Sequence, residues 1–375
     1  MARVVVSVTN DLVNDQRVHK VCSSLQQQNW EVLLVGRQLA DSAPLSRSYT
    51  THRMRLFFRK GALFYAEYNV RLFFFLLFHK AHVLHSNDLD TLLANYLVAK
   101  LRSLPLVYDS HEYFTGVPEL QNRKRVRQIW EAIEAWIFPD LQHVFTVNES
   151  IAECYAKLYH KSLTPIRNIP MRSAAPLPAS RASLGLKESD FLVINQGTGI
   201  NVDRGMEELV EALLLLPEDV HLVLLGKGDA IPALKKKVDH LALHERVHFF
   251  PPRPYAEMMA ITACCDLGVS LDKNSNANYR MSLPNKLFDF IRAGIPVLTT
   301  QLVEVQKVVD SYQIGRTIAT CDATAIAQGI TSMRREGKEA YRKALQKAST
   351  ELYWEREVIP LLKTYEQLRT DSNPN

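Results

Sequence analysis

The stretch Asn278–Thr300, NYRMSLPNKLFDFIRAGIPVLTT, sets a cation and a carboxylate where an anion and a polyol could be gripped together. Ser282 reads as an N-cap, and Pro284 suits the first helical turn, where no N–H is missed. Leu287, Phe288 and Ile291 follow helical spacing and should pack inward. Lys286 and Asp289 are then neighbours on another face. Gly294 supplies a left-handed stop, and Ile295–Thr300 reads as a buried strand. The helix start adds unpaired N–H groups and its positive end, so the chemistry in view is binding of phosphate and sugar hydroxyls. On spacing alone, an exposed ion pair on an ordinary helix fits the pattern equally well.

Five further segments carry polar groups just after an apolar run. Gln196–Gly205, QGTGINVDRG, opens a helix: Gly197 and Gly199 permit close backbone approach and Arg204 adds a fixed charge, a combination suited to a diphosphate. Gly226 and Gly228 flank Lys227 after HLVLLG and read as a backbone-approach turn, with a plain strand-to-helix turn as the alternative. Asp109, His111 and Glu112 cluster at the end of VYDSHEY, and Asn87 and Asp88 at the end of another short run. In Asn10–Arg17, Asp15 can cap a helix and Arg17 can face a ligand cleft.

The elements that must position these groups alternate strand and helix. Arg3–Val8, Glu31–Val35, His82–His85, Leu106–Tyr108 and Val144–Val147 read as strands. Asp15–Asn29, Thr91–Arg102 and Arg123–Phe138 read as helices between them. Residues 170–183 are rich in Pro, Ala and Ser, as linkers are. Alternation restarts with Phe191–Asn195, His221–Leu225, Val247–Phe249, Asp266–Ser270 and Ile295–Thr299. Such alternation implies α/β architecture, with parallel sheets covered by helices on both faces. A chain of 375 residues is long for one core and suggests two such domains. Their ligand would lie in a cleft outside the carboxyl ends of the strands.

Composition narrows the class. A charge of +5 suits phosphate-bearing ligands or an anionic membrane surface, but it is too weak to imply nucleic acid. Five scattered Cys without a CxxC pair or nearby His do not support zinc, and reduced thiols in a cytoplasmic protein are expected. MARVVVSVTNDL reads as a first core strand rather than a signal peptide. Arg53, Arg55, Arg59, Lys60 and Arg71 interleave with Phe57, Phe58, Phe64, Tyr65, Tyr68 and Phe73–Phe75. That mixture can lie at a bilayer surface. Arg53–Tyr68 is the better candidate for such contact, and Leu72–Phe78, too short to span, reads as core helix.

LPNKLFDFIRAGIPVL, residues 283–298, resembles the donor-binding helix of GT-B glycosyltransferases, especially glycosyltransferase family four. The resemblance covers nearly the whole chain. It implies two doubly wound Rossmann-like domains facing across a cleft. The N-terminal acceptor-side domain would be 1–170, with a linker at 171–183 and a nucleotide-sugar domain at 184–350. Residues 351–375 would cross back as a helix with an unstructured tail over 370–375. The activity implied is retaining transfer of a sugar from a nucleoside diphosphate to a glycan or lipid-linked acceptor in cell-surface polysaccharide synthesis. No cofactor or metal is implied, nor any nucleic-acid partner. The expected location is cytoplasmic, with peripheral contact at the inner face of the plasma membrane through 53–78.

The resemblance gives Asp289 the nucleotide ribose and places Pro284, Asn285 and Lys286 at the donor. Arg204–Gly205 stands where the family has Lys-Gly, and Gly226 and Gly228 stand beside the base. Asp109-Ser-His-Glu112 matches bacterial forms reading DSHE, which puts His111 near the donor sugar. Asn87, Asp88, Asp109 and Glu112 are then acceptor-side. His111, Arg204 and Lys286 are the expected catalytic set. Two departures stand out: the family's earlier Arg is replaced by Thr198-Gly199, and its first acid, eight residues before the second, is Met281. The rival functions are a nucleotide-sugar epimerase of the same fold and a non-catalytic scaffold binding nucleotide-sugar or membrane.

Overall fold

The computed structural model describes residues 1–13, 15–117, 120 and 122–371. The chain divides into two compact units, 1–171 with 354–375, and 172–353.

The first unit is built on seven parallel strands: β1 (Arg3–Asp11), β2 (Glu31–Gln38), β3 (Thr50–Arg55), β4 (Val83–Asn87), β5 (Leu106–Ser110), β6 (His143–Thr146) and β7 (Thr164–Pro165). Their order is β3-β2-β1-β4-β5-β6-β7, so the direction of winding reverses between β1 and β4. The second unit has six parallel strands: β8 (Phe191–Gly197), β9 (Val220–Gly226), β10 (Val247–Phe250), β11 (Leu267–Ser270), β12 (Val297–Thr300) and β13 (Gly315–Ile318). The order is β10-β9-β8-β11-β12-β13, and the reversal falls between β8 and β11. Continuous Val, Leu and Ile runs such as Val4–Val6 and Leu222–Leu225 are buried on both faces, as fully covered parallel strands require.

Three strands escape the sequence pattern. β3, TTHRMR, buries only Met54 and carries Arg53 and Arg55 at the sheet edge, where charge discourages pairing with another chain. β7 is two residues long, and β13, GRTI, lies at the other sheet's edge.

The chain end belongs to the core of the first unit. Trp354, Val358, Leu361, Tyr365 and Leu368 join Val18, Val21, Leu25 and Trp30 in one apolar cluster. Trp354 Nε1 donates to Ser24 Oγ at 2.9 Å, and the Tyr365 hydroxyl lies 2.7 Å from His85 Nδ1. Helix Ile359–Asp371 runs into the segment expected to be an unstructured tail, and 372–375 lie outside the described residues.

Helix Gly61–Phe78 corrects the division drawn between its two halves. It is one helix of 18 residues, apolar enough to cross a membrane by length and composition alone. Phe64, Tyr68, Leu72 and Leu76, one per turn, are buried, while Leu63, Val70, Phe74 and Phe78 are exposed. The buried stripe is narrow, so apolar surface stays outside along the whole helix.

Trp354→Ala should cost about 3–5 kcal/mol, the range for a fully buried aromatic. Urea unfolding measures it; a loss under about 1 kcal/mol would mean that the C-terminal segment adds little to this core.

Candidate active site

In the second unit the candidate groups converge on the end of β8, at the point of strand reversal. The apolar run FLVI ends in Asn195 and Gln196, both fully buried, and each meets one residue of helix Asn285–Ala293. Asn195 Nδ2 donates to Val269 O at 3.0 Å on β11, which turns Oδ1 toward Lys286 Nζ at 3.4 Å. Gln196 Oε1 accepts from the Thr262 hydroxyl, and its Nε2 donates to Asp289 Oδ2 at 3.3 Å. The other Asp289 oxygen accepts from the Tyr255 hydroxyl at 2.8 Å. Lys286 and Asp289 thus engage consecutive residues of one strand end, while Leu287, Phe288 and Ile291 pack inward.

The two cations are held differently. Arg204 Nη1 pairs with buried Asp272 Oδ2 at 2.7 Å, and its guanidinium lies 4.5 Å from the centre of the Tyr279 ring. Among the described residues no carboxylate forms an ion pair with Lys286. Burial pushes the Lys286 pKa down; Asp272 opposes this, and Arg204 adds to it. Arg204 Nε and Asp272 Oδ1 are buried without hydrogen-bond partners. A partly desolvated lysine beside an arginine with unused donor capacity is chemically matched to a phosphate or diphosphate.

The local helix start differs from the sequence expectation. Pro284 is the N-cap, extended at φ −65° and ψ 134°, and the helix begins at exposed Asn285. Ser282 donates instead to Tyr279 O at 2.9 Å, closing the short helix Ala277–Arg280 that Asn276 caps. The proline ring disfavours helical geometry at the preceding residue, so 282–283 cannot begin the helix. Met281 forms the C-cap of that short helix.

The glycines separate into two kinds. A Cβ on Gly197 or Gly199 would meet nothing within 4 Å, so both leave open space beside β8. Gly226 and Gly228 are required by close backbone packing. A Cβ at either would fall 1.9 Å from a carbonyl oxygen, that of Gly197 for Gly226 and that of Ile200 for Gly228. The two loops are zipped by Lys227 N to Gly197 O and Ile200 N to Lys227 O, each 3.1 Å.

In the first unit the polar groups gather where β1, β4 and β5 end. Asp109 is fully buried and receives Arg17 Nε at 3.0 Å and Nη2 at 2.7 Å, while Arg17 Nη1 donates to Ile166 O. Arg17 therefore does not face a cleft; it neutralises a buried acid, and Asp15 caps its helix by accepting from Val18 N. Asp109 and Asn87 likewise line no open surface, because both are wholly buried. They hold His111: Nε2 lies 3.1 Å from Asn87 Oδ1 and 3.4 Å from Asp109 Oδ2. On the other side Nδ1 is 3.2 Å from Asp88 Oδ2, and the His111 amide donates to Asp88 Oδ1 at 2.7 Å. Glu112 follows, half-buried, its carbonyl accepting from Ser110 Oγ.

Burial alone would lower the His111 pKa, but Asp88 and then Asp109 outweigh it and raise the ring to about 9. Burial would raise Asp109; Arg17 and His111 overcome this and hold it well below the usual carboxylate range. A ring raised in this way, with Nδ1 and Nε2 both facing protein acceptors, favours the imidazolium at neutral pH and suits a positive charge better than a base.

Asn195, Gln196, Tyr255, Thr262 and Asp272 were missed at the sequence level. The signal for the first two was present: amides ending an otherwise apolar strand must be buried and bonded. Tyr255 and Asp272 carry no local signature, because their partners are distant in sequence.

Two doubly wound units with polar residues at the strand-reversal points define the GT-B class. A profile of Glycosyltransferase Family 4 matches residues 16–171, and one of Glycosyl transferases group 1 matches 193–335. The chain is a GT-B glycosyltransferase, a family-four domain followed by a group 1 domain. No curated protein sequence matches it.

Among solved structures, sucrose-phosphate synthase from Thermosynechococcus elongatus superposes with a TM-score of 0.78 at 17% identity, covering 99% of this chain and 100% of that one. Anabaena HepE, solved with UDP-glucose, gives 0.73 at 14% identity, covering 98% and 100%. WaaG, a glycosyltransferase involved in lipopolysaccharide biosynthesis, gives 0.70 at 17% identity, covering 95% and 99%.

The His111 ring should titrate with a midpoint near 9 in an NMR pH series. A raised folded-state pKa contributes stability that is complete below the unfolded value of about 6.5 and is lost as pH rises through the folded one. The stability gap between wild type and His111→Gln should therefore shrink between those limits. A midpoint near 6.5 would remove the imidazolium assignment.

Proposed function

We propose that the protein moves a glycosyl group, with retention of configuration, from a nucleoside diphosphate sugar to a glycan or lipid-linked acceptor in cell-surface polysaccharide synthesis. The observation that carries this reading is the end of β8, where Asn195 meets Lys286 and Gln196 meets Asp289. The HepE complex with UDP-glucose supports a nucleotide-sugar donor, and the process in which WaaG takes part supports a surface glycan.

On this reading Asp289, oriented by Gln196 and Tyr255, accepts from the ribose hydroxyls. Arg204 and Lys286 hold the diphosphate beside Gly197 and Gly199. As the bond from the anomeric carbon to the phosphate oxygen breaks, negative charge grows on the diphosphate and positive charge on the sugar. The two fixed cations stabilise the leaving group more as its charge develops, which is the kind of interaction that lowers a barrier. The acceptor oxygen forms its bond on the same face, and its proton passes to the departing phosphate oxygen. No protein base is required, in keeping with an imidazolium at His111.

A lipid-linked acceptor would bring the enzyme to the inner face of the plasma membrane. The exposed apolar residues of helix Gly61–Phe78, with Phe57 and Phe58 before it, are the contact surface in this reading. Anionic lipid attracts Arg59 and Lys60 beside them.

Thermal unfolding against UDP, GDP, ADP and dTDP tests the donor site. One nucleotide at 100 times its dissociation constant should add about 2.7 kcal/mol, or about 5–10 °C for a domain of this size. Asp289→Asn, which keeps a group for Tyr255 and Gln196 to bond, should lose most of that gain. No shift with any nucleotide at millimolar concentration would overturn the donor reading. Donor epimerised without acceptor would overturn transfer in favour of the epimerase.

A further inference from the structure

In the first unit, a cavity of about 390 Å³ opens at the carboxyl ends of β2 and β3. Arg37, Arg55 and Arg59 line it with Leu56, Phe58 and Phe64. We propose that these three arginines bind the phosphate group of an amphipathic, phosphate-bearing molecule, which on the reading above is the acceptor.

The arginines are gathered without the acids that would normally accompany them. Among the described residues none of the three makes a salt bridge, whereas their neighbours are matched: Arg53 pairs with Asp11 and Arg71 with Glu67. Arg37 Nε is buried with no partner, and its Nη1 reaches only the Arg59 carbonyl at 3.4 Å. Its guanidinium rests 4.8 Å from the centre of the buried Phe64 ring. Arg55 Nε donates to Gln38 Oε1 at 3.2 Å. Like charges brought together around a partly apolar cavity are unfavourable unless an anion joins them. Forked donors from several guanidinium groups match the tetrahedral oxygens of a phosphate.

The loop is held in place. Both Glu67 oxygens accept from the Phe57 amide, at 2.9 and 3.0 Å, and one also accepts from the Phe58 amide at 2.9 Å. Glu67 is thereby spent on backbone and on Arg71. The lining supplies the second half of the ligand's chemistry: Leu56, Phe58 and Phe64 share the cavity with the charges, and Phe58 is exposed. An anionic head with an apolar chain satisfies both. The cavity lies at the carboxyl ends of β2 and edge strand β3, apart from the reversal between β1 and β4.

The test is calorimetric titration of the full chain with dodecyl phosphate below its micelle concentration, with inorganic phosphate and dodecanol as separate arms. Dodecyl phosphate should bind, and Arg55→Ala, Arg59→Ala and Arg37→Lys should each weaken it roughly tenfold or more. Arg37→Lys keeps the packing against Phe64 while losing the fork. Much weaker binding of inorganic phosphate is expected; equal affinity would mean that the apolar chain contributes nothing and would overturn the amphipathic ligand. Dodecanol binding as well as dodecyl phosphate, or affinity unchanged in all three variants, would overturn the proposal. UDP titrated into the same proteins keeps the two readings apart. Its affinity should be unchanged in the arginine variants, and its failure in wild type would sink the donor reading without touching this one.

Discussion

The first unit depends on a buried negative charge. Asp109 ends β5 with no access to water, and an uncompensated carboxylate there would be untenable. Arg17 compensates it from 92 residues away and spends its remaining N–H on the Ile166 carbonyl beyond β7. One guanidinium thus ties helix Gln16–Gln27 to two strand ends. Breaking such a pair from one side typically costs about 3–5 kcal/mol, because the partner charge stays buried. The same carboxylate joins Asp88 in raising the His111 pKa, so the tie that holds the fold also contributes to the charge of the ring.

The second unit uses the opposite sign. Its strand-reversal point carries Arg204 and Lys286 with two buried acids, Asp272 and Asp289, of which only Asp272 forms an ion pair with Arg204. The neutral amide of Asn195 positions Lys286 and that of Gln196 positions Asp289, while Arg204 is held by its ion pair with Asp272. The first unit consumes its charge internally at the corresponding place. Its surplus appears elsewhere, at Arg37, Arg55 and Arg59, where positive groups are again oriented by neutral partners.

Much of this was legible in the amino-acid order, and the failures have physical causes. Alternation of apolar and helical periods exposed the parallel architecture, and the spacing of Leu287, Phe288 and Ile291 gave the inward face of the helix that carries Lys286 and Asp289. Local chemistry was readable where the cause is local, as at Asp15 and Gly294. Partnerships were not: nothing near Asp109 announces Arg17, and nothing near Asp289 announces Tyr255. Gly226 and Gly228 looked like ligand-approach positions because a glycine records only that something comes close, not what. Edge strands such as β3 evade pattern reading since their side chains answer to solvent as much as to the core. Helix Gly61–Phe78 is apolar nearly all round, so periodicity could not separate its buried stripe from its exposed one.

The zipper between the loops after β8 and β9 bears on how this protein can change over generations. Backbone atoms of Gly197 and Ile200 fill the space where side chains of residues 226 and 228 would stand. A residue gained or lost in either loop would uncouple it from the other, so the two are constrained to change together. Thr198 and Lys227, exposed on that block, can exchange side chains without touching the zipper. Drift at this rim is therefore channelled into side-chain exchange on a fixed frame, and new preferences there would arise by substitution rather than by loop remodelling.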